Sequence, residues 1–272
     1  MSGQFPPIRL NTGTALPRVG LGVFRATPGE TMGAVSVALA AGYRHIDTAQ
    51  VYGNEAAVGK AVRTSGLDRA EVFVTTKIAL ANMAPGRVGP SIAASVEALG
   101  FVPDLVLLHW PQPDHRRSAW RELEGMHLGG DLPAIGVSNF MKPHLRELLA
   151  EARIVPAVNQ IELSPFLQQR DVRAACAAAG IAVAAYSPLT KGRRLDHPVL
   201  SRIAARHGAS PAQVLLAWGL HVGASVLPKS VRPGRIAENI ALDGVHLDAE
   251  DMLALDALEE NLVTGWNPQT VV

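Results

Sequence analysis

The sequence has one cysteine, Cys176, and therefore no partner for an intrachain disulfide. That residue sits in the Ala-rich run Val172 to Ala179, where a small packing residue is expected and a catalytic thiol is the exception. Neither sign of charge is in excess: 25 Lys and Arg against 24 Asp and Glu leave a net charge of +1. No basic run gathers into a patch able to neutralise phosphates, which argues against a nucleic-acid binder. Long hydrophobic runs are missing too. The longest, such as Ile181 to Ala185 and Val214 to Trp218, fall far short of the roughly 20 residues that cross a bilayer, so no membrane partner is expected. Met1 to Pro7 shows neither a basic leader nor an apolar segment before a cleavage site, which predicts a protein that stays in the cytoplasm. Finally, no Gly-x-Gly-x-x-Gly follows a strand-like run, since Gly20-Leu21-Gly22 is not continued by a third glycine. A Rossmann domain is disfavoured.

What is present is enough apolar material for a large core. With 272 residues and 48% hydrophobic composition, the length suits one barrel-type domain or two small ones. Short runs rich in Val, Ile and Leu alternate with longer helical patterns from end to end, as in a parallel sheet built of βαβ units. The strand-like runs are Val19 to Leu21, Arg44 to Ile46, Val72 to Thr76, Asp104 to Leu108, Ala134 to Val137, Ala157 to Ile161, Ile181 to Ala185 and Ser225 to Leu227. Each precedes a helical pattern, and no Gly-rich or charged linker divides them. Eight such units predict an α/β fold of the (β/α)8 TIM-barrel kind, a single domain over residues 1–272. Ile8 to Pro17, with an Asn11-Thr12-Gly13 turn, predicts a hairpin capping the barrel floor. Leu247 to Leu258 predicts an extra helix, with Asp248 as N-cap and Asp251 three residues on. A C-terminal tail beyond Leu262 remains, placed over the active-site face.

Four polar residues stand at or just beyond the ends of strand-like runs: Asp47, Tyr52, Lys77 and His109. Loops that follow the strands of such a barrel all emerge at its C-terminal face, so these four are expected to converge. A tyrosine alone is a poor acid at neutral pH, its ordinary pKa being about 10. Lys77 as a neighbouring cation would favour the phenolate, Asp47 would hold and neutralise the ammonium, and His109 would orient the oxygen that receives the proton. Taken singly, three of them have ordinary structural readings, an ion pair or a backbone-satisfying histidine. As a set they predict a proton donor.

The local sequences carry a resemblance. Gly42-Tyr43-Arg44-His45-Ile46-Asp47-Thr48-Ala49 running into Tyr52-Gly53-Asn54-Glu55, then Thr76-Lys77, His109-Trp110-Pro111, Gly136-Val137-Ser138-Asn139-Phe140 and Pro228-Lys229-Ser230, together resemble the aldo-keto reductase family over nearly the whole chain. Within it, the chain looks most like the bacterial 2,5-diketo-D-gluconate reductases. The resemblance implies reduction of an aldehyde or ketone to an alcohol with hydride from a nicotinamide, Tyr52 being the general acid, Lys77 and Asp47 tuning it and His109 orienting the carbonyl. It implies a small-molecule carbonyl substrate, a monomer, and no metal.

The same resemblance implies a cofactor site. Ser138, Asn139 and Gln160 would hold the nicotinamide amide, the ring would stack on Tyr186, and Ser187-Pro188-Leu189 would line the pyrophosphate. Read from the residues alone, Ser138-Asn139 could instead cap the helix beginning near Lys142, and Tyr186 could be a packing residue at the rim. Lys229, Ser230 and Arg235, with Glu238 and Asn239 beyond and Arg232 nearby, match the adenosine end. Two cations and a hydroxyl suit a 2′-phosphate, which predicts NADPH over NADH, because a planar Arg fork and a Lys point charge answer a dianion that an unphosphorylated ribose lacks. The alternative there is a solvated basic loop.

In the substrate pocket the resemblance departs from the family pattern. Related reductases commonly carry an aromatic two positions after the active-site lysine, whereas this chain has Ala79 in a loop of small residues. Phe24 and Trp110 remain at pocket positions, so an apolar, partly aromatic slot is expected. Trp266 in the tail could close over the slot or pack on the barrel. Two other functional classes stay open: a nucleotide-binding regulatory barrel with little turnover, and a cofactor-independent lyase or isomerase using Lys77 as a Schiff-base amine.

Overall fold

The structure, a computed structural model, describes residues 5–271. Met1 to Gln4, on which part of the reading of the N-terminal segment rests, lie outside the described residues, as does Val272.

A two-residue antiparallel pair, β1 (Ile8–Arg9) and β2 (Ala15–Leu16), opens the chain. Its turn uses Gly13 at φ +85°, a left-handed conformation that glycine adopts without steric cost. Eight parallel strands follow, β3 (Leu21–Gly22), β4 (His45–Asp47), β5 (Phe73–Ile78), β6 (Leu105–Leu108), β7 (Ile135–Ser138), β8 (Val158–Glu162), β9 (Ala182–Tyr186) and β10 (Ser225–Leu227), each paired with its neighbours in chain order. The ring closes between the ends of that order. Gly20 N–H donates to Val226 O at 2.9 Å and Gly22 N–H to Pro228 O at 3.0 Å. The fold is therefore the (β/α)8 TIM barrel with an N-terminal hairpin.

The predicted strands lie within about two residues of the observed ones, and the main difference is at the first. Val19 makes only an isolated bridge to Val226, and the ladder proper begins at Leu21. The helices on the outside include α1 (Pro28–Ala40), α2 (Glu55–Arg63), α3 (Val88–Leu99), α4 (Arg116–Leu128), α5 (Lys142–Leu149) and α6 (Arg170–Ala178). After β9 the chain makes two helices, α7 (Pro198–His207) and α8 (Pro211–His221), and after α9 (Pro233–Ile240) comes the additional α10 (Ala249–Asp256). Local chemistry sets several of their starts. Thr27 and Glu30 bond reciprocally ahead of Pro28 at the first turn of α1, and Asp248 and Asp251 do the same at α10, as expected from the sequence.

The strands are buried on both faces, which accounts for their continuous apolar runs. Their outer faces pack on the helices. Inside the floor, Leu10 and Leu16 of the hairpin segment share one apolar cluster with Phe73, Leu105 and Ala157 at the strand starts. Asn11 Nδ2 donates to the carbonyls of Val155 and Pro156 at 3.1 and 3.3 Å, fixing the hairpin there. The floor is plugged, so the open end is the C-terminal face. Among the described residues no helix is long and apolar enough to cross a membrane.

Candidate active site

Three strand ends and one turn bring the four polar residues together. Asp47 is the last residue of β4, Lys77 lies near the end of β5, and His109 directly follows β6. Tyr52 ends a 3-10 turn, Gln50–Tyr52, that Gly53 terminates at φ +67°, a left-handed conformation. Lys77 is 1% exposed in its side chain; its Nζ donates to Asp47 Oδ2 at 2.6 Å, to Thr48 O at 2.8 Å and to the Tyr52 hydroxyl at 3.4 Å. The imidazole of His109 meets the Tyr52 ring edge to face, centroids 5.8 Å apart. The expected convergence is thus present.

The electrostatics correct one expectation. Tyr52 lies above its ordinary phenol value, because burial of the hydroxyl outweighs the neighbouring Lys77, which pulls the other way. The phenol is a proton-loaded donor at neutral pH rather than an acidified one. Burial by itself would lower the Lys77 ammonium, but Asp47 and Tyr52 together more than offset this and hold it above the usual lysine range. His109 is pushed down to about 3 by burial and by Lys77, so the ring is neutral. Its Nδ1 is buried with no hydrogen-bond partner among the described residues.

Sequence reasoning assigned Gln160 to the nicotinamide alone and missed Gln50 and Asn54 as residues that hold these four in place. Gln160 Nε2 donates to Asp47 Oδ1 at 2.7 Å, leaving Asp47 Oδ2 to Lys77, so both carboxylate oxygens are bonded. Gln50 ties the Tyr52 turn to the next loop: its Oε1 accepts from Ala79 N–H at 2.8 Å and Asn82 Nδ2 at 2.9 Å, and its Nε2 reaches Ser91 O and Ser95 Oγ. Asn54, bonded to Thr48 Oγ1, Val23 O and Thr31 Oγ1, fixes the other side of the turn. For Gln50 and Asn54 the sequence signal was an amide side chain within two residues of Tyr52.

The residues expected at the nicotinamide end form one chain of hydrogen bonds. Ser138 Oγ donates to Gln160 O at 2.9 Å, Asn139 Nδ2 donates to Ser138 Oγ at 3.1 Å and to His109 O at 3.0 Å, and Tyr186 OH donates to Asn139 Oδ1 at 2.8 Å. The helix-capping alternative is excluded, because the N-cap of α5 is Met141, whose N–H bonds His144 Nδ1. Burial raises the Tyr186 phenol well above its ordinary value. Gln160 Oε1 accepts no bond within the described residues, which suits it to an amide N–H. Beyond Tyr186, the non-glycine residues Ser187, Thr190 and Lys191 all have positive φ, an unusual run in the loop expected to line a pyrophosphate, in which Leu189 is half-buried. At the adenosine end Lys229, Arg232 and Arg235 are exposed and make no hydrogen bond or ion pair through their side chains among the described residues, while Ser230 and Asn239 are buried and Glu238 half-buried beside them. Lys229, whose charge adds to the bonds from Thr27 in lowering the Glu30 carboxyl, and the two arginines are thus available to hold a phosphate.

The mouth is aromatic. Phe24, 45% exposed, lies 5.0 Å from the Tyr52 ring between centroids. Trp266, 73% exposed, meets Trp110 edge to face at 5.6 Å, so the tail does lie over the C-terminal face. Ala79, nearly buried, presents only a methyl group.

Comparison with known proteins agrees with this geometry. The model of the aldo/keto reductase family matches residues 18–260. A glyoxal reductase of Bacillus subtilis is 41% identical over 267 residues, covering 97% of each chain. A morphine 6-dehydrogenase of Pseudomonas putida is 42% identical over 287 aligned positions, covering 100% of this chain and 97% of its own. The crystal structure of an aldo/keto reductase from Brucella melitensis superposes with a TM-score of 0.91 at 40% identity, over 94% of this chain and 100% of that one. Such enzymes are oxidoreductases that generally use a nicotinamide dinucleotide, and the barrel, the Tyr52 cluster and these likenesses together place the chain in the aldo/keto reductase family.

Proposed function

We propose that the chain, as a single barrel domain and a cytoplasmic monomer, reduces aldehydes and ketones to alcohols with NADPH, Tyr52 acting as general acid. The observation that carries this reading is the contact of the Lys77 ammonium with the Tyr52 hydroxyl at 3.4 Å while Asp47 holds it from behind at 2.6 Å. When bound, the reduced nicotinamide supplies a hydride to the carbonyl carbon. Tyr52 gives its proton to the carbonyl oxygen as negative charge develops there. The phenolate left behind is stabilised by Lys77, whose own charge Asp47 and Gln160 keep in place. Because His109 is neutral, one ring nitrogen carries a proton that it donates to the same oxygen. These donors bind the transition state more strongly than the ground state, which is the source of acceleration.

Lys229, Ser230, Arg232 and Arg235 are assigned to the 2′-phosphate, and Ser138, Asn139, Gln160 and Tyr186 to the nicotinamide. Ala79 opens one side of the slot, which suits a range of carbonyls; the relatives named above act, by their names, on glyoxal and on morphine. A Schiff-base role for Lys77 fits poorly, since a protonated amine with three bonded partners has no lone pair to offer. The test is Tyr52→Phe assayed with NADPH and a carbonyl panel. Turnover is expected to fall by at least 100-fold, the scale of a lost general acid, with NADPH affinity nearly unchanged. A large loss of NADPH affinity with modest loss of turnover would show Tyr52 to be structural instead.

A further inference from the structure

The tail that carries Trp266 is held by side chains rather than by a ladder. From Ala257 to the 3-10 turn at Pro268–Thr270 it contains no helix or strand. Within it, Thr264 is bonded at both ends of its backbone. Its N–H donates to Glu162 Oε1 at 3.0 Å, its hydroxyl donates to the same oxygen, and its carbonyl accepts from Lys191 Nζ at 2.8 Å.

Glu162 is the last residue of β8 and stands two positions beyond Gln160, so its side chain leaves the strand on the same side, toward the barrel mouth. It is 4% exposed, and its Oε2 is buried with no hydrogen-bond partner among the described residues. A carboxylate taken out of water depends on the bonds it does make, and both bonds that Oε1 accepts come from Thr264. Charge-assisted bonds are about twice as strong as neutral ones. Two residues further on, Trp266 stands 73% exposed against Trp110, the neighbour of His109.

We propose that Glu162 is a positioning residue: by gripping Thr264 it fixes Trp266 as a wall of the substrate slot, and thereby sets selectivity for carbonyls that carry a flat apolar group. This rests on the carbonyl-reductase reading above. Glu162 makes no hydrogen bond to Tyr52, Lys77 or His109; it pairs across the sheet with Tyr186 and adds electrostatically to the burial that raises that phenol, an influence that any aldehyde would feel, whereas its hold on the tail is felt only by one that reaches Trp266. A small aldehyde that does not reach Trp266 is indifferent to that hold. An aryl aldehyde loses an aromatic contact and the apolar area behind it when the wall moves, worth about tenfold in KM.

The experiment compares wild type, Glu162→Ala, Glu162→Gln, Trp266→Ala and the Glu162→Ala/Trp266→Ala pair on 4-nitrobenzaldehyde and glyoxal at saturating NADPH. Amide exchange across residues 260–271 is followed separately without substrate. Glu162→Ala is expected to raise KM for the aryl aldehyde about tenfold and leave kcat/KM for glyoxal within about twofold. Glu162→Gln, which still offers an acceptor to Thr264, recovers most of the loss, and the double variant is no worse than Trp266→Ala alone. Exchange at the Thr264 amide accelerates in Glu162→Ala. Equal losses on both aldehydes, additive losses in the double variant, or unchanged exchange would each overturn the proposal. Should Glu162→Ala fail to fold, Thr264→Val, which removes only the hydroxyl bond, is expected to show the same selectivity change in smaller measure. If the wild type reduces neither aldehyde, the carbonyl-reductase reading fails, while exchange at Thr264 still decides whether Glu162 holds the tail.

Discussion

Replacing Asp47 by Asn tests the buried ion pair, and the structure sets both the size and the sign of the outcome. Asp47 Oδ2 bonds Lys77 at 2.6 Å and Oδ1 bonds Gln160 at 2.7 Å, with Lys77 almost wholly out of water. An amide keeps one acceptor where there were two and removes the carboxylate that pairs with the ammonium. Breaking such a pair from one side costs about 3–5 kcal/mol. For a chain of this size, where each kcal/mol moves Tm by about 2–4 °C, the expected fall is about 10 °C at pH 7. The pH dependence is more diagnostic than the size. In the wild type Lys77 lies above its ordinary value, so its contribution is fully present below the unfolded value of 10.5 and is lost as pH rises through the folded one. Without Asp47, burial dominates and drives Lys77 below 10.5. The unfolded state then binds more protons, and the variant gains stability as pH rises toward 10.5. Urea unfolding between pH 7 and 10 reads this directly. A variant that loses less than about 1 kcal/mol, or whose stability does not climb with pH, would refute the view that Asp47 is what keeps Lys77 charged.

Two further outcomes follow from named groups. His45 and His109 are held down to about 4 and about 3 by burial, so the native state must stay neutral where the unfolded chain takes up protons; stability is fully present above the unfolded value of about 6.5 and falls by about 1.4 kcal/mol per pH unit per histidine below it. Urea unfolding at pH 7 and 5 is expected to show about half that acid loss in His109→Gln, and an unchanged acid slope would remove His109 from the account. Arg235→Ala is expected to weaken NADPH about tenfold or more with NADH nearly unaffected, measured by fluorescence titration; equal weakening of both would end the assignment of Arg235 to the 2′-phosphate.

Most of the fold was legible because a closed parallel barrel writes itself as repetition. Strands buried on both faces must be short and apolar, and the segments between them must be helical, so Ser225 to Leu227 and Glu55 to Arg63 could be bounded to the residue. The exception at Val19 lies where the ring closes, because closure pairs residues about 200 positions apart and leaves no local pattern. Asp248 and Asp251 could be read as a cap because that interaction spans three residues.

The polar cluster was equally legible, since Asp47, Lys77 and His109 mark strand ends and a TIM barrel sends every strand end to one face. Residue type and spacing sufficed to say that a phenol, an ammonium, a carboxylate and an imidazole would meet. The protonation balance among them was decided only by tertiary structure: depth of burial outweighs the Lys77 charge at Tyr52, and burial is a property of the packed whole. Likewise Gln50, Gln160 and Glu162 acquire their roles from partners 29, 113 and 102 positions away. Chain order states which groups the protein owns, whereas the distances and dielectric surroundings that set their energies exist only once distant segments have been packed together.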